Sequence, residues 1–328
     1  MEKKTVFLTG ACGGMGFQGL TRMLKDGDSY NTLVLVRDSE KNRKMLEPYM
    51  ALGNLEVVWG DLNDYDTVYK CVEKSDLILH VAAFVSPQAD YNPKKAMQVN
   101  YGSTKNLITA IKEQGRENEV KFVYIGTVAE TGDRMPPIHW GRVGDPIKPS
   151  MFDYYAVSKV AAERYVIESG LKYWVSLRQT GIIGPAMSKI RDAIMFHNCY
   201  DNVLEYVSDR DSGVLLRNLS YQDATNTMDT AFWGHIYNIG GGECLSTKMK
   251  KGDWSTQLEF KCAFGHTFKA SPRLVLEGGH WCDECERKSW NYGQRAKVDP
   301  FFAQVWKPLH EADELREYPK EVSELDVK

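Results

Sequence analysis

The stretch Thr5-Val6-Phe7-Leu8-Thr9-Gly10-Ala11-Cys12-Gly13-Gly14-Met15-Gly16 decides the fold. A short apolar run passes directly into glycines at positions 10, 13 and 16, and a helical pattern follows over 15–26. The first glycine permits a tight turn, the second lets backbone approach a pyrophosphate, and the third allows close packing of helix on strand. The helix N-terminus then presents amides and the positive end of its dipole to a phosphate. A glycine-rich turn that binds nothing is the plain alternative, and the strand-turn-helix context argues against it.

Outward from this loop, similar runs recur at Thr32–Val36, Leu55–Trp59, Leu77–Val81, Lys121–Ile125 and Tyr173–Leu177. Their continuous rather than alternating hydrophobicity marks strands buried on both faces. Amphipathic stretches at 63–73, 94–115 and 153–169 separate them. The expected fold class is α/β, a doubly wound parallel sheet of Rossmann-like type with ligands at the carboxyl ends of its strands. After residue 184 the rhythm loosens, with a helix expected near 188–198 and strands near 204–207 and before Tyr237.

Tyr155 and Lys159 stand four residues apart, on one face of the last of those helices. An ammonium beside a phenol favours the phenolate, so a group with a resting pKa near ~10 becomes usable as a proton donor or acceptor. Tyr154 has Ser158 at the same spacing and lacks that partner. With the glycine loop upstream and Thr127 between, the pair points to hydride transfer. The second strand ends at Val36, and Arg37 follows about twenty residues past Gly16. A basic residue there suits the 2′-phosphate of NADP, whereas an acidic one would hold the ribose of NAD. Arg37 favours NADP, and Asp38 keeps NAD open.

A net charge of −3 gives no reason to expect nucleic acid as a partner. The four-residue apolar run before the glycines is too short for a signal peptide or a membrane span. Seven cysteines, three of them clustered with a histidine near the C-terminus, suit a reducing cytoplasm with one metal site better than a disulfide framework.

Taken jointly, Thr9 through Gly16, Gly60-Asp61-Leu62, His80 through Ala83, Asn100, Thr127, Tyr155 with Lys159, Leu177 through Gly181 and Tyr237 through Gly241 resemble the extended short-chain dehydrogenase/reductase family. The resemblance covers residues 4–242 and includes sugar-nucleotide epimerases and dehydratases. It implies that Gly10, Cys12, Gly13, Gly14, Met15 and Gly16 form the cofactor loop. Asp61 and Leu62 would contact the adenine, and Ala82 and Ala83 would line the cofactor channel. Gln179 and Thr180 would lie beside the nicotinamide, although many members carry proline where this chain has Gln179. Asn100 would hold a water in a proton relay to Lys159, or serve only as a buried polar group. Thr127 would bond the substrate oxygen, Tyr155 would act as general acid or base, and Lys159 would bind the ribose. His80 reads as a core histidine. The segment between Thr127 and Tyr155, with Met135, Pro136, Pro137 and Trp140, suggests a partly hydrophobic substrate.

Cys262-x₃-His266 and Cys282-x₂-Cys285 form a second constellation. Two tight turns of this kind can close a tetrahedral zinc site, with reduced cysteines and no metal as the alternative. The surrounding sequence resembles a zinc-ribbon or treble-clef module, which the family normally lacks. The expected organisation is a dinucleotide domain at 1–242 with substrate-lobe elements from about 184, a linker at 243–256, a structural zinc module at 257–292 and a charged tail at 293–328.

The function expected is a cytoplasmic NAD(P)-dependent oxidoreductase acting on a small-molecule carbonyl or secondary alcohol. No membrane partner is expected, and a homodimer stays open. The alternatives are an epimerase or dehydratase that retains its nicotinamide, and an NADP-sensing protein whose zinc module docks a partner.

Overall fold

The computed structural model describes residues 3–132, 143–184, 206–240, 243–246, 253, 255–261, 266–276 and 282. The chain divides into two compact units, residues 1–133 with 143–241, and residues 134–142 with 242–328.

In the first unit the strands follow the apolar runs. They are β1 (Lys4–Thr9), β2 (Tyr30–Val36), β3 (Leu55–Trp59), β4 (Leu77–His80), β5 (Lys121–Thr127) and β6 (Tyr173–Gln179). A short parallel ladder of β7 (Gly181–Ile183) and β8 (Tyr206–Ser208) follows, and β9 (His235–Ile239) is the last strand. The main sheet has the order β3-β2-β1-β4-β5-β6-β9, with every pairing parallel. Both faces are covered, as the unbroken burial of β4 and the near-unbroken burial of β2 and β5 require.

One face carries α3 (Tyr65–Glu73), α6 (Ser103–Glu113) and α7 (Tyr154–Ile167). Their core joins Val68, Leu107, Ile111 and Val166 to Phe7, Ile78 and Phe122 of the sheet. The other face carries α1 (Gly14–Met23) packed along α8 (Asp209–Ala224). The sequence reading held no helix over 209–224 and placed this region in a substrate lobe; α8 is instead a layer of the nucleotide-binding fold. Arg217 fastens it to Asp26 through bonds of 2.5 and 2.8 Å, and its buried Asp223 takes the ammonium groups of Lys4 and Lys121.

The helix expected over 94–115 is interrupted. A turn at α5 (Pro93–Ala96) leads into a π-helical segment at Met97–Gly102, which continues as α6. Such widened turns are frequent at functional sites, and the buried residue of this one is Asn100, 1% exposed. The helix expected near 188–198 lies outside the described residues.

The second unit contains a three-stranded antiparallel sheet, β10 (Glu243–Cys244), β11 (Leu258–Lys261) and β12 (Thr267–Ala270), in that order. Alternate residues of β11 and β12 turn inward, so Leu258, Phe260, Phe268 and Ala270 form one apolar face with Cys282. Phe260 and Phe268 stack with centroids 5.6 Å apart. Glu243 and Cys244, expected within a linker, form a strand of this sheet: Cys244 pairs with Phe260, and the following Leu245 N–H donates to Glu259 O at 2.8 Å. Cys262, Cys285 and the tail at 293–328 lie outside the described residues.

Candidate active site

Because every strand of the main sheet is parallel, the residues singled out after each strand gather at one edge. They are Gly10 after β1, Arg37 after β2, Asp61 and Leu62 after β3, Ala82 and Ala83 after β4, Thr127 at the end of β5, and Gln179 and Thr180 at the end of β6. This carboxyl edge is where open α/β sheets bind ligands.

Two glycines of the first turn are dictated by space. Gly10 has φ +72°, and a Cβ there would lie 2.8 Å from the backbone nitrogen of Ala82. A Cβ on Gly16 would lie 2.1 Å from the carbonyl oxygen of Gly10. Gly13 N–H closes the turn on Gly10 O at 2.9 Å and is the N-cap of α1, with no side chain capping the helix. The first-turn amides, at Gly14, Met15 and Gly16, therefore face outward without intrahelical acceptors. A pyrophosphate fits that cradle. Cys12 beside it is half-buried, and burial raises its thiol pKa against the opposing charge of Lys41.

Beyond β2, Arg43 grips the carboxylate of Asp38 through two bonds, at 2.6 and 2.7 Å, and lies 4.7 Å over the ring of Trp59. Asp38 is thereby held below the usual carboxylate range by those hydrogen bonds. Arg37 is exposed and has no side-chain partner among the described residues. Asp61 Oδ1 accepts from Asn63 N and Nδ2, at 2.9 and 2.8 Å, and Leu62 O accepts from Asn106 at 2.9 Å.

His80 organises the middle of the sheet and is the core residue the sequence implies. Val81 and Ala82 amides donate to Thr9 Oγ1, at 3.1 Å each, so the Thr9 hydroxyl proton points to His80 Nδ1 at 2.9 Å. The opposite nitrogen then carries the proton and donates to Thr104 Oγ1 at 3.0 Å, and Thr104 donates to Asn100 O at 2.8 Å. This assigns the Nε2–H tautomer from the network. Burial, aided by the charge of Lys159, holds His80 neutral, with its pKa lowered to about 3.

Asn100 makes no direct hydrogen bond to Lys159 among the described residues. Its Oδ1 accepts from Phe84 N at 2.7 Å, and both amide protons are used, toward Phe84 O at 3.0 Å and Ser158 Oγ at 2.8 Å. It clamps the segment carrying Ala82 and Ala83 to α7.

The structure brings Thr127 and Tyr155 close enough for the Thr127 hydroxyl to act on the phenol. Burial raises the Tyr155 pKa, and the neighbouring Thr127 opposes that rise. Lys159 is 2% exposed and donates from Nζ to Ile125 O at 2.6 Å, while lying 4.0 Å from the ring centroid of Tyr124. No hydrogen bond joins it to Tyr155 among the described residues. Burial lowers the Lys159 pKa to about 8, against the opposing charges of Glu130 and Glu163.

Beneath this set lies a buried charge cluster that the sequence reading missed. Arg178 on β6 binds Glu163 on α7 through Nη2 at 2.5 Å and Nε at 3.0 Å, with Glu130 Oε2 3.7 Å from its Nε. Ser176 adds a 2.6 Å bond to Glu163. Glu130 closes a capping box with Thr127, which orients the loop after β5. Two signals were available: Thr127-x-x-Glu130 is the capping-box pattern, and Glu163 continues the four-residue spacing of Tyr155 and Lys159. Burial first, then Glu163, pushes the Glu130 carboxyl up to about 9. For Glu163 the hydrogen bonds from Arg178 outweigh burial and lower the pKa.

At the end of β6, Gln179 Nε2 donates to Ser212 at 3.0 Å and Thr180 N–H to Ile239 O at 3.0 Å. Gln179 Oε1 and Thr180 Oγ1 are buried with no partner among the described residues. Orphaned acceptors at this edge, with the open helix terminus and the side-chain-free turn, fit a dinucleotide cofactor. Residues 133–142 lie outside the described residues, and so does the expected substrate loop with Met135 and Trp140.

Residues 6–219 match the model of the NAD dependent epimerase/dehydratase family. Over 214 residues the chain is 28% identical to a 3 beta-hydroxysteroid dehydrogenase/Delta 5-->4-isomerase of Mycobacterium tuberculosis, covering 62% of this chain and 52% of that protein. The chain thus spans about half the length of the curated relatives it matches. Its fold is similar to Pal from Bacillus thuringiensis, with a TM-score of 0.58 and 24% identity over 72% of this chain and 77% of the other. It is similar also to the Bordetella bronchiseptica enzyme WbmH, solved with NAD+, with a TM-score of 0.55 and 24% identity over 74% and 77% of the two chains. Among the described residues no helix is long and apolar enough to cross a membrane. The family match spans well over half the chain, and the protein belongs to the NAD-dependent epimerase/dehydratase family.

Proposed function

We propose that this chain is an NAD(P)-dependent oxidoreductase that reduces a carbonyl, or oxidises the corresponding secondary alcohol, with NADP preferred. The observation that carries the reading is the position of the Tyr155 phenol beside Thr127 at the carboxyl edge of the sheet. A phenol kept protonated by burial enters the reaction as an acid. In the reducing direction Tyr155 Oη passes its proton to the carbonyl oxygen and is left as a phenolate. The Thr127 hydroxyl then donates to that phenolate or to the new alcohol. A nicotinamide held at this edge would supply the hydride. Lys159, with its lowered pKa, is placed to return a proton to the site.

The NADP preference rests on Arg37, which has no side-chain partner among the described residues, while Asp38 is occupied by Arg43. The steroid named for the M. tuberculosis relative agrees with a hydrophobic, ring-bearing alcohol, the substrate class suggested by Met135 and Trp140.

The test is a panel of cyclic ketones and alcohols followed by NADPH and NADH absorbance, with Tyr155→Phe alongside. Turnover should fall by about 10²–10⁴-fold in the variant while cofactor affinity is retained. Tightly held nicotinamide with no net absorbance change, together with conversion of a nucleotide sugar, would assign the chain to the epimerase or dehydratase branch instead. Cofactor binding with no turnover of either substrate class would favour a sensing role.

A further inference from the structure

We infer that Gln179 recognises the primary carboxamide of the nicotinamide ring, its Oε1 accepting one of the carboxamide protons. The inference rests on the reading above, in which hydride transfer takes place beside Tyr155. Strand order sets the direction in which a dinucleotide lies. The glycine turn follows β1 and Arg37 follows β2, while β4, β5 and β6 stand on the other side of β1. With its pyrophosphate at the start of α1 and its adenosine ribose toward β2, the cofactor runs its other half toward β5 and β6.

Gln179 closes β6 and is the register partner of Thr127 across the β5–β6 ladder. It therefore stands one strand from the residue that neighbours the phenol. In a nicotinamide the carboxamide is carried by the ring carbon next to the one that gives the hydride. Placing the reacting carbon beside Tyr155 thus brings the carboxamide to this end of the sheet.

The side chain has one end committed and one end free. Gln179 is 5% exposed, and its Nε2 donates to Ser212 Oγ at 3.0 Å, which assigns the amide nitrogen. Its Oε1 is buried with no partner among the described residues. A buried carbonyl oxygen is costly to leave unpaired, and a ligand N–H offsets that cost. The anchor is rigid: Ser212, 1% exposed, lies in the first turn of α8. The next residue, Gly213, is so close to α1 that a Cβ would lie 2.7 Å from the backbone carbon of Gln18. A fixed acceptor suits the N–H donors of the carboxamide, since the ring carbons have none to offer.

The test is calorimetric titration of the full chain with the tighter-binding of NADP+ and NAD+, and with the acetylpyridine and thionicotinamide forms of that nucleotide. The acetyl group keeps the carbonyl and lacks the N–H donors, whereas the thioamide keeps the donors. The native chain should bind the acetylpyridine form about 10-fold more weakly than the natural nucleotide, the worth of one hydrogen bond to a buried acceptor, and the thionicotinamide form almost as well. Gln179→Met keeps the length of the side chain and removes the acceptor, so the natural and acetylpyridine forms should bind it alike. Ser212→Ala releases the amide and should shrink the ratio severalfold; should Gln179→Met fail to fold, the ratio in Ser212→Ala decides. Equal binding of the two forms by the native chain, or a ratio that survives Gln179→Met, overturns the inference. An effect of Gln179→Met confined to the thionicotinamide form overturns it too, since the amide would then present its nitrogen. Absence of any nucleotide binding would overturn the cofactor reading itself, a result distinct from binding without discrimination.

Discussion

The backbone amide of Thr127 donates to Oε1 of Glu130 at 3.1 Å, while the Thr127 hydroxyl accepts from the Ala129 amide at 3.2 Å. The hydroxyl that meets Tyr155 is thus aimed from below by a buried carboxyl group.

That carboxyl, pushed up to about 9, is protonated at neutral pH and acts through its oxygen as an acceptor. Glu130→Gln preserves the acceptor and should change stability by less than about 1 kcal/mol at pH 7. Glu130→Ala leaves the Thr127 amide buried without a partner and should cost about 1–3 kcal/mol. Between pH 4.5 and about 9 the folded chain keeps a proton that the unfolded chain has released, so this group makes stability fall as pH rises. Urea titrations of both variants across that window check the point, because Glu130→Gln should remove this contribution to the slope.

Space alone separates two neighbouring glycines. Gly16→Ala forces a methyl group to 2.1 Å from the Gly10 carbonyl oxygen, so α1 must shift. It should lose about 1–3 kcal/mol of stability and most of its cofactor affinity. Gly14 has no atom within 4 Å of the corresponding position, and Gly14→Ala should be neutral or stabilising by about 0.5–1 kcal/mol. Thermal unfolding and nicotinamide titration of the pair measure both effects, and equal behaviour would contradict the close approach.

With Asp38 bound twice by Arg43, Arg37 is left to meet a 2′-phosphate. Arg37→Ala should weaken NADPH by about 10- to 100-fold, the worth of one charged hydrogen bond, and leave NADH nearly unchanged. Fluorescence titration with each cofactor gives the two ratios. Equal losses, or native preference for NADH, would transfer the role to Asp38.

His80 predicts an acid limb. Its folded pKa of about 3 lies below the ordinary 6.5, so the unfolded chain takes up a proton that the folded chain refuses. Its contribution is present above pH 6.5 and is lost progressively as pH falls toward 3. At pH 5 the loss amounts to about 2 kcal/mol. The stability gap between the native chain and His80→Asn should shrink by that amount between pH 7 and 5. A constant gap in denaturant titrations would mean that His80 titrates normally.

Much was legible in the chain because it rests on local pattern. The six apolar runs, the glycine spacing and the tyrosine–lysine interval depend on residues within a turn or two of each other, and backbone geometry converts those intervals into strands, a tight turn and a shared helix face. Parallel pairing then carries Arg37, Asp61, Ala82, Thr127 and Gln179 to one edge, as the doubly wound order requires.

The tertiary structure decided what depended on distant partners. Helix α8 gave no apolar stripe because Asp209, Ser212, Ser220 and Asp223 are among its buried residues, and Asp223 is tolerated there only beside Lys4 and Lys121, more than a hundred positions away in the chain. Asn100 became a clamp because Phe84 and Ser158 meet it from two other elements. Lys159 turned to the Ile125 carbonyl, and Glu130 kept its proton because Glu163 lies beside it in a buried pocket. Spacing along a helix states which side chains share a face; only the packing of that face decides which atoms they bond and which of them hold a charge.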